Sequence, residues 1–121
     1  MEKMLIVVRT QTDGTHCYPD APDEVAFLRN LHRHIFHIEA EIEVFHDERE
    51  LEFFMVKRVI DDHLYNPLRA PSSSCEQIAR NLRKFLQVKY PLPSNIRFRK
   101  YRTINIKVFE DNENGVYLKE E

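Results

Sequence analysis

The sequence predicts an α+β domain in which two helices cover one face of a four-stranded antiparallel sheet. Strand patterns occupy both ends of the chain, and two helical patterns lie between them, in the order ββααββ. Strands that are grouped apart from helices are typical of this class. With 121 residues, of which 42% are hydrophobic, residues 1–121 are expected to form a single domain with one core.

A long loop is predicted between the first two strands. Residues 4–8 are a short apolar run rich in β-branched side chains, which favours a strand. Residues 14–31 carry two prolines and no sustained period, so we expect a loop there, with one short helical turn at 24–29. Residues 32–46 alternate apolar and polar side chains and are predicted to form a long second strand. Its core face is expected to carry His32, His34, Phe36, Ile38, Ala40, Ile42 and Val44.

A helix is predicted after the charged turn at residues 47–50. Phe53, Val56 and Ile60 recur there at helical spacing. We expect the helix to run to about Tyr65, because the Asn66-Pro67 pair that follows disfavours helical backbone.

A second helix is predicted to begin with a capping box, with Ser73 as the N-cap and Glu76 at the third helical position. The apolar stripe that should face the sheet consists of Ile78, Ala79, Leu82, Phe85 and Leu86. Residues 96–101 and 104–109 then predict one long bent strand or two short ones. A turn at 111–115 and a last strand at 116–118 complete the pattern.

Composition excludes several classes of function. The only glycines are Gly14 and Gly115, so neither a Walker loop nor a dinucleotide-binding fingerprint is present. Eighteen Lys and Arg against twenty Asp and Glu leave a net charge of −2, so nucleic acid is not an expected partner. The chain has only two cysteines, its N-terminus lacks the features of a signal peptide, and it contains no long apolar run. These features predict a cytoplasmic protein that is not inserted in a membrane.

Two histidines on the second strand could be metal ligands. His32 and His34 are two residues apart, so their side chains leave the same face of the strand. The spacing alone fits a polar cluster at the start of a strand equally well. A catalytic zinc site needs a third protein ligand, and His16 in the long loop is the candidate.

Four segments carry a resemblance to a known family, and they occur in this order: Leu28-Arg29-Asn30-Leu31-His32-Arg33-His34-Ile35-Phe36, Glu52-Phe53 with Val56-Lys57, Ser74-Cys75-Glu76-Gln77-Ile78-Ala79, and Val108-Phe109-Glu110-Asp111. They are similar to the Cys-x-x-x-His-Gly-His, Asp-Phe-x-x-Leu-Lys, Thr-Ala-Glu-Asn-Leu-Ala and Val-Trp-Glu-Thr segments of the 6-pyruvoyltetrahydropterin and 6-carboxytetrahydropterin synthases. The resemblance spans most of the chain and implies the T-fold of that family, whose ββααββ order agrees with the pattern above.

The resemblance implies a metal site and a substrate anchor. It makes His16, His32 and His34 the ligands of a Zn²⁺ ion, with a fourth position open to polarise a substrate oxygen. It makes Glu110 the anchor of a pterin ring, because a carboxylate accepts two parallel N–H bonds from a guanidine-like edge. The alternative for Glu110 is a solvated residue of the polar turn that follows it.

The catalytic machinery of the family is altered in this sequence. The position of the family's catalytic cysteine is Leu28, and leucine can neither take a proton nor form a thiolate. Cys17, beside His16, is either a substitute base or a small apolar residue. Asp62 and His63 resemble the family's assisting Asp-His pair, although they follow the helix start several residues too early. His63 could instead interact with the negative end of its helix.

These residues define two functional hypotheses. The first is a zinc-dependent lyase acting on a pterin such as dihydroneopterin triphosphate, with Asp62-His63 or Cys17 relaying protons. The second is a non-catalytic protein of the same fold that binds a pterin-like or purine-like ligand or serves as a scaffold, because position 28 is leucine. The resemblance also implies a homo-oligomer, a hexamer or another stacked barrel, with the sites at subunit interfaces.

A basic segment near the C-terminus has two interpretations. Arg97, Arg99, Lys100 and Arg102 lie among aromatic residues, a pattern that could contact phosphates and bases. Alternatively, these cations pair with the acidic face of the second strand, Glu39, Glu41 and Glu43.

Overall fold

A computed structural model describes residues 2–65 and 73–121 and confirms the predicted α+β architecture. The elements are β1 (Met4–His16), a 3₁₀ helix (Asp23–Arg29), β2 (His32–Val44), α1 (Phe53–Leu64), α2 (Cys75–Lys89), β3 (Ile104–Glu110) and β4 (Asn114–Leu118). The strands form one sheet in the order β1-β2-β3-β4, with every neighbouring pair antiparallel. No helix within the described ranges is both long enough and apolar enough to cross a lipid bilayer.

The core lies between one face of the sheet and the two helices. The predicted apolar face of β2 is confirmed, because Phe36, Ile38, Ala40, Ile42 and Val44 are all buried. The residues that pack against this face come mainly from the two helices and β3 and include Val56, Ile60, Leu64, Ile78, Ala79, Leu82, Leu86, Ile104, Ile106 and Val108. His32 and His34 belong to the same face but lie at its end.

The first strand is longer than predicted. β1 continues to His16, because its polar second half pairs with β2 in register as far as the His16–His32 pair. The ladder bonds offered by a 13-residue partner strand outweigh the weak strand propensity of this segment. The connection to β2 is therefore shorter than predicted, and the expected helical turn is the 3₁₀ helix Asp23–Arg29.

Both helices begin close to the predicted positions. The N-cap of α2 is Ser74 and its capping-box partner is Gln77, so the predicted pair of Ser73 and Glu76 is wrong by one residue. Both pairs fit the sequence pattern of a capping box. In the structure Ser73 lies one residue before the cap, and its carbonyl oxygen faces His16. The predicted stop of α1 at Asn66-Pro67, like the rest of 66–72, lies outside the described residues.

The predicted strand at residues 96–101 is wrong, because β3 begins only at Ile104. Arg102 is 4% exposed, and its guanidinium donates to the carbonyls of Glu43, Tyr90 and Pro91. These side-chain hydrogen bonds hold the segment that leads into β3, where the backbone hydrogen bonds of a strand were expected.

Candidate metal centre

Three histidines converge at the end of the sheet, on the face that the helices cover. His16 is the last residue of β1 and lies directly opposite His32, the first residue of β2. His34 is two residues further along β2 and therefore shares its face. The start of α2 lies against this group, since the His16 Nδ1 atom is 3.0 Å from the Ser73 carbonyl oxygen.

The three imidazoles are close enough to share one metal ion. Their ring centroids are 4.6 Å apart for His16 and His32, 5.0 Å for His16 and His34, and 4.9 Å for His32 and His34. One ligand nitrogen from each ring lies within 4.8 Å of the other two. Ligand atoms around a tetrahedral zinc ion lie roughly 3.4 Å apart, so a small inward rotation of the rings would bring them to bonding positions.

The outward-facing nitrogens have hydrogen-bond acceptors. Besides the Ser73 carbonyl at His16, Nδ1 of His32 is 2.8 Å from the Asn30 carbonyl oxygen, and Nδ1 of His34 is 2.7 Å from Asp111 Oδ2. A carbonyl or carboxylate oxygen can only accept, so the Nδ1 atom of each ring is the donor in its contact. A neutral imidazole that donates through Nδ1 has its lone pair on Nε2, where a metal ion can bind. Metal-binding histidines are commonly oriented by acceptors of this kind.

The inward-facing nitrogens fit a cation. Nε2 of His32 and Nε2 of His34 are buried, and neither has a hydrogen-bond partner among the described residues. An unpaired buried acceptor is costly, and one positive ion between the rings would remove that cost for both. The residues present therefore fit a metal ion, although they do not identify which metal.

Glu110 lies beside the histidines. It is the last residue of β3 and is paired with Phe36, so its side chain shares the face of His34. Its Oε2 atom is 3.0 Å from Nε2 of His16, and its Oε1 atom is 3.9 Å from Nε2 of His34. The carboxylate therefore contacts the cluster directly, and the alternative of a solvated turn residue does not describe it.

The buried cysteine of this region is Cys75, which the sequence analysis did not single out. It is the first residue of α2, and it lies beside Glu110. Burial, followed by the negative charge and hydrogen bonding of Glu110, raises the pKa of the Cys75 thiol to about 12. The thiol is thus protonated at neutral pH and is a poor nucleophile. Its place in one of the four segments of the family resemblance is the signal that could have indicated a position near the site.

A cleft of about 670 Å³ opens next to the cluster. His16, His32 and Glu110 line it together with both cysteines, Cys17 and Cys75, and with Leu28. Cys17 is half-buried. A pocket of this size fits a small ring-containing molecule.

The predicted Asp-His pair lies elsewhere in the chain. His63 is in the last turn of α1, where its Nε2 atom is 2.6 Å from Asn81 Oδ1 and its ring stacks on Phe85 at 3.9 Å. Asp62 is exposed on the same helix. The fold of one chain does not bring either residue to the lining of the cleft, so their acid-base role stays a prediction.

The basic segment pairs in part with the acidic face of β2. Arg99 lies 2.9 Å from Glu43, as the second interpretation predicts. Glu39, in contrast, pairs with Arg9 and Lys107 on the neighbouring strands. The charge pairing expected for this segment is therefore confirmed for Glu43. It is wrong for Glu39 and for Glu41, whose carboxylate accepts from Asn105 and Tyr117.

Comparison with known proteins does not assign the chain to a family. No protein-family model matches the sequence, and a search of curated proteins finds no match.

Proposed function

We propose that this chain is a divergent cytoplasmic relative of the 6-pyruvoyltetrahydropterin and 6-carboxytetrahydropterin synthases that binds one zinc ion through His16, His32 and His34. The observation that carries the proposal is the orientation of the three rings. The Nδ1 atom of each ring contacts a protein acceptor, and one ligand nitrogen of each ring lies within 4.8 Å of the other two. The ββααββ order and the four motif segments support the same family.

The cleft supports a pterin-like ligand. It is of suitable size, and Glu110 presents a carboxylate there that can accept N–H bonds from a guanidine-like edge. Bound zinc would supply Lewis acidity to a substrate oxygen and so acidify the neighbouring C–H group. The proposed reaction class is that of a carbon–oxygen lyase, with dihydroneopterin triphosphate as the first substrate to test.

A non-catalytic binding protein is the second candidate, and Leu28 favours it. This side chain lines the cleft at the position where the resemblance expects a thiol. The neighbouring Cys75 is a poor substitute for that thiol as a base, because burial alone raises its pKa and keeps the thiol protonated. In this case the zinc and the cleft would hold a pterin-like or purine-like molecule without turnover.

Zinc content per chain tests the proposal. Protein purified without a tag or a chelator is expected to contain about one zinc per chain by mass spectrometry, and His32→Ala is expected to lose it. His37→Ala is the matched control, since His37 is on β2 but alternation places it on the opposite face. Absence of metal from the wild type, even after zinc is offered, would contradict the proposal.

Turnover separates the two candidates. Zinc-loaded protein is incubated with dihydroneopterin triphosphate, and the product is followed by chromatography. Conversion that His32→Ala abolishes supports the lyase. Binding of the pterin without conversion supports the non-catalytic protein.

A further inference from the structure

We propose that Glu110 is the fourth ligand of the metal ion in the resting protein. The metal site is then closed, and a ligand can reach the metal only by displacing this carboxylate. The inference rests on the proposed zinc site at His16, His32 and His34. It assigns Glu110 a role that differs from the anchoring of a pterin ring.

Distances between ligand atoms carry the argument. Glu110 Oε2 is 3.0 Å from Nε2 of His16, and Oε1 is 3.9 Å from Nε2 of His34. These values lie on either side of the roughly 3.4 Å that separates neighbouring ligands of a tetrahedral zinc ion. The carboxylate thus lies at the distance from two imidazoles that a fourth ligand would have.

The backbone holds Glu110 at this position. Its pairing with Phe36 fixes which face of the sheet its side chain occupies. The tight turn that follows, closed by a 2.9 Å bond from the Glu113 N–H to the Glu110 carbonyl, fixes the end of the strand. A ligand on a regular strand is positioned more accurately than one on a loop.

An ion pair between Glu110 and His16 alone explains less of the structure. It would satisfy one ring, while Nε2 of His32 and Nε2 of His34 would stay buried without a partner among the described residues. A metal ion bound by all four groups satisfies every inward-facing nitrogen. The carboxylate also offsets part of the charge of a divalent ion, which three neutral imidazoles cannot do.

The closed site has a consequence for ligand binding. Structural zinc sites have four protein ligands, whereas catalytic sites keep one position open. An oxygen of Glu110 that is bound to the metal cannot also accept an N–H bond in the bidentate pairing that a pterin anchor requires. Ligand binding is therefore expected to be coupled to movement of Glu110 away from the metal.

Cobalt substitution tests the coordination without relying on activity. Co²⁺ is bound to the wild-type chain and to Glu110→Gln, and the visible absorption spectrum and the dissociation constant are measured. Loss of an outer-shell partner costs about 10–100-fold in metal affinity, so loss of a direct ligand is expected to weaken binding at least about tenfold. The spectrum of Glu110→Gln is expected to change, because a carboxylate ligand has been lost. Glu113→Gln, an exposed residue of the same turn, is the matched control and should behave as the wild type.

The outcomes distinguish this inference from the proposed function. If the wild type binds no cobalt, the metal site itself is overturned. If the wild type binds cobalt and Glu110→Gln has the same affinity and spectrum, the histidine site stands and the role of Glu110 is overturned. Circular dichroism checks that Glu110→Gln is folded. If it is not, Glu110→Ala, which also lacks the carboxylate, is compared with the wild type, and an unchanged spectrum and affinity overturn the inference.

Discussion

At the scale of single residues, Glu43 shows how this sheet accommodates a buried carboxylate. It is 5% exposed, and its Oε1 atom accepts bonds of 2.8 Å from the Thr103 N–H and 2.9 Å from Arg99. Burial by itself raises the pKa of Glu43, but these bonds and the charges of Arg99 and Lys3 outweigh it and lower the pKa. The carboxylate is therefore more stable as an anion in the folded chain than in the unfolded chain.

The lowered pKa of Glu43 predicts a contribution to acid unfolding. A carboxyl group whose folded pKa is depressed stabilises the fold above its ordinary pKa of 4.5, and this contribution is lost as the pH falls through the folded value. Glu43→Gln is expected to lower the free energy of unfolding by about 1–2 kcal/mol at neutral pH, because the hydrogen bonds to a charged group are weakened. Below pH 4.5 the difference from the wild type should shrink.

Urea titrations at several pH values measure this contribution. Glu48→Gln, which changes an exposed residue of the turn after β2, is the control and should stay close to the wild type throughout. A Glu43→Gln deficit that is constant from neutral to acidic pH would contradict the electrostatic explanation.

At the scale of elements, the start of α2 couples the helix to the metal centre. Ser74 accepts the Gln77 N–H, and the Gln77 side chain accepts the Ser74 N–H, which satisfies two free donors at the helix end. The preceding carbonyl, that of Ser73, faces His16. Adjacent serines therefore have different roles, since Ser74 caps the helix and Ser73 orients a candidate ligand.

The cap predicts a difference between neighbouring serines. Ser74→Ala is expected to lower the free energy of unfolding by about 1 kcal/mol, because an N-cap acceptor is lost. Ser73→Ala keeps the carbonyl that faces His16 and is expected to change stability by only a few tenths of a kcal/mol at most. Chemical denaturation of both variants shows which serine is the N-cap. A larger effect at Ser73 would favour Ser73 as the N-cap, as the sequence pattern predicts.

The hairpin of β3 and β4 depends on two unusual backbone positions. Asp111 and Asn112 have φ values of 52° and 57°, which is the left-handed conformation of a type I′ turn. Gly115 packs so closely against β3 that an added Cβ would lie 2.7 Å from the Phe109 Cα atom and would also collide with the Val108 carbonyl oxygen. The glycine is therefore needed for close approach of the strands, and the turn itself is made by two polar residues.

Gly115→Ala is predicted to destabilise this hairpin. Backbone atoms cannot move aside as a flexible side chain can, so we expect a loss of about 2 kcal/mol in the free energy of unfolding. Asn114→Ala, at the exposed neighbouring position, serves as the control. The variants are compared by urea denaturation, and a neutral effect of Gly115→Ala would show that the two strands can separate without cost.

At the scale of the whole molecule, the proposed metal centre joins three strands. His16 is contributed by β1, His32 and His34 by β2, and Glu110 by β3. The contacts that bring them together are far apart in sequence, so the site exists only when the sheet is formed. Metal binding and folding are therefore expected to be thermodynamically coupled.

Metal addition is predicted to stabilise the fold. A ligand that binds only the folded chain at about 1,000 times its Kd adds about 4 kcal/mol to the free energy of unfolding. The Tm of the wild type should therefore rise with zinc and fall with a chelator, as followed by circular dichroism. His37→Ala should respond in the same way, whereas a zinc response that persists in His32→Ala would contradict binding at this site.

The free edge of β1 predicts association of chains. β1 has 13 residues, and among residues 2–65 and 73–121 it pairs on one side only, with β2, so within that part of the chain no strand lies along its other edge. Together with the family resemblance, this edge supports a homo-oligomer. Light scattering at micromolar concentration is expected to give a mass several times that of the 14.6 kDa chain, and a mass equal to one chain would contradict the expectation.

The sequence by itself determined the elements that have strong local periodicity. The alternation of β2 placed His32 and His34 on the core face, and the apolar stripes of α1 and α2 identified the faces that they bury. These patterns are local, because each depends only on the repeat of a helix or strand and on one apolar surface to bury. They were sufficient for the ββααββ order and for two of the candidate ligands.

Only the tertiary structure determined the features that depend on pairing between strands. The polar second half of β1 is a strand because β2 pairs with it, and this pairing places His16 opposite His32. The position of Glu110 beside them depends on the register of β3, and the burial of Arg102 depends on carbonyls from two distant segments. Such contacts leave no periodic trace in the sequence, since the energy that selects them comes from hydrogen bonds to residues far along the chain.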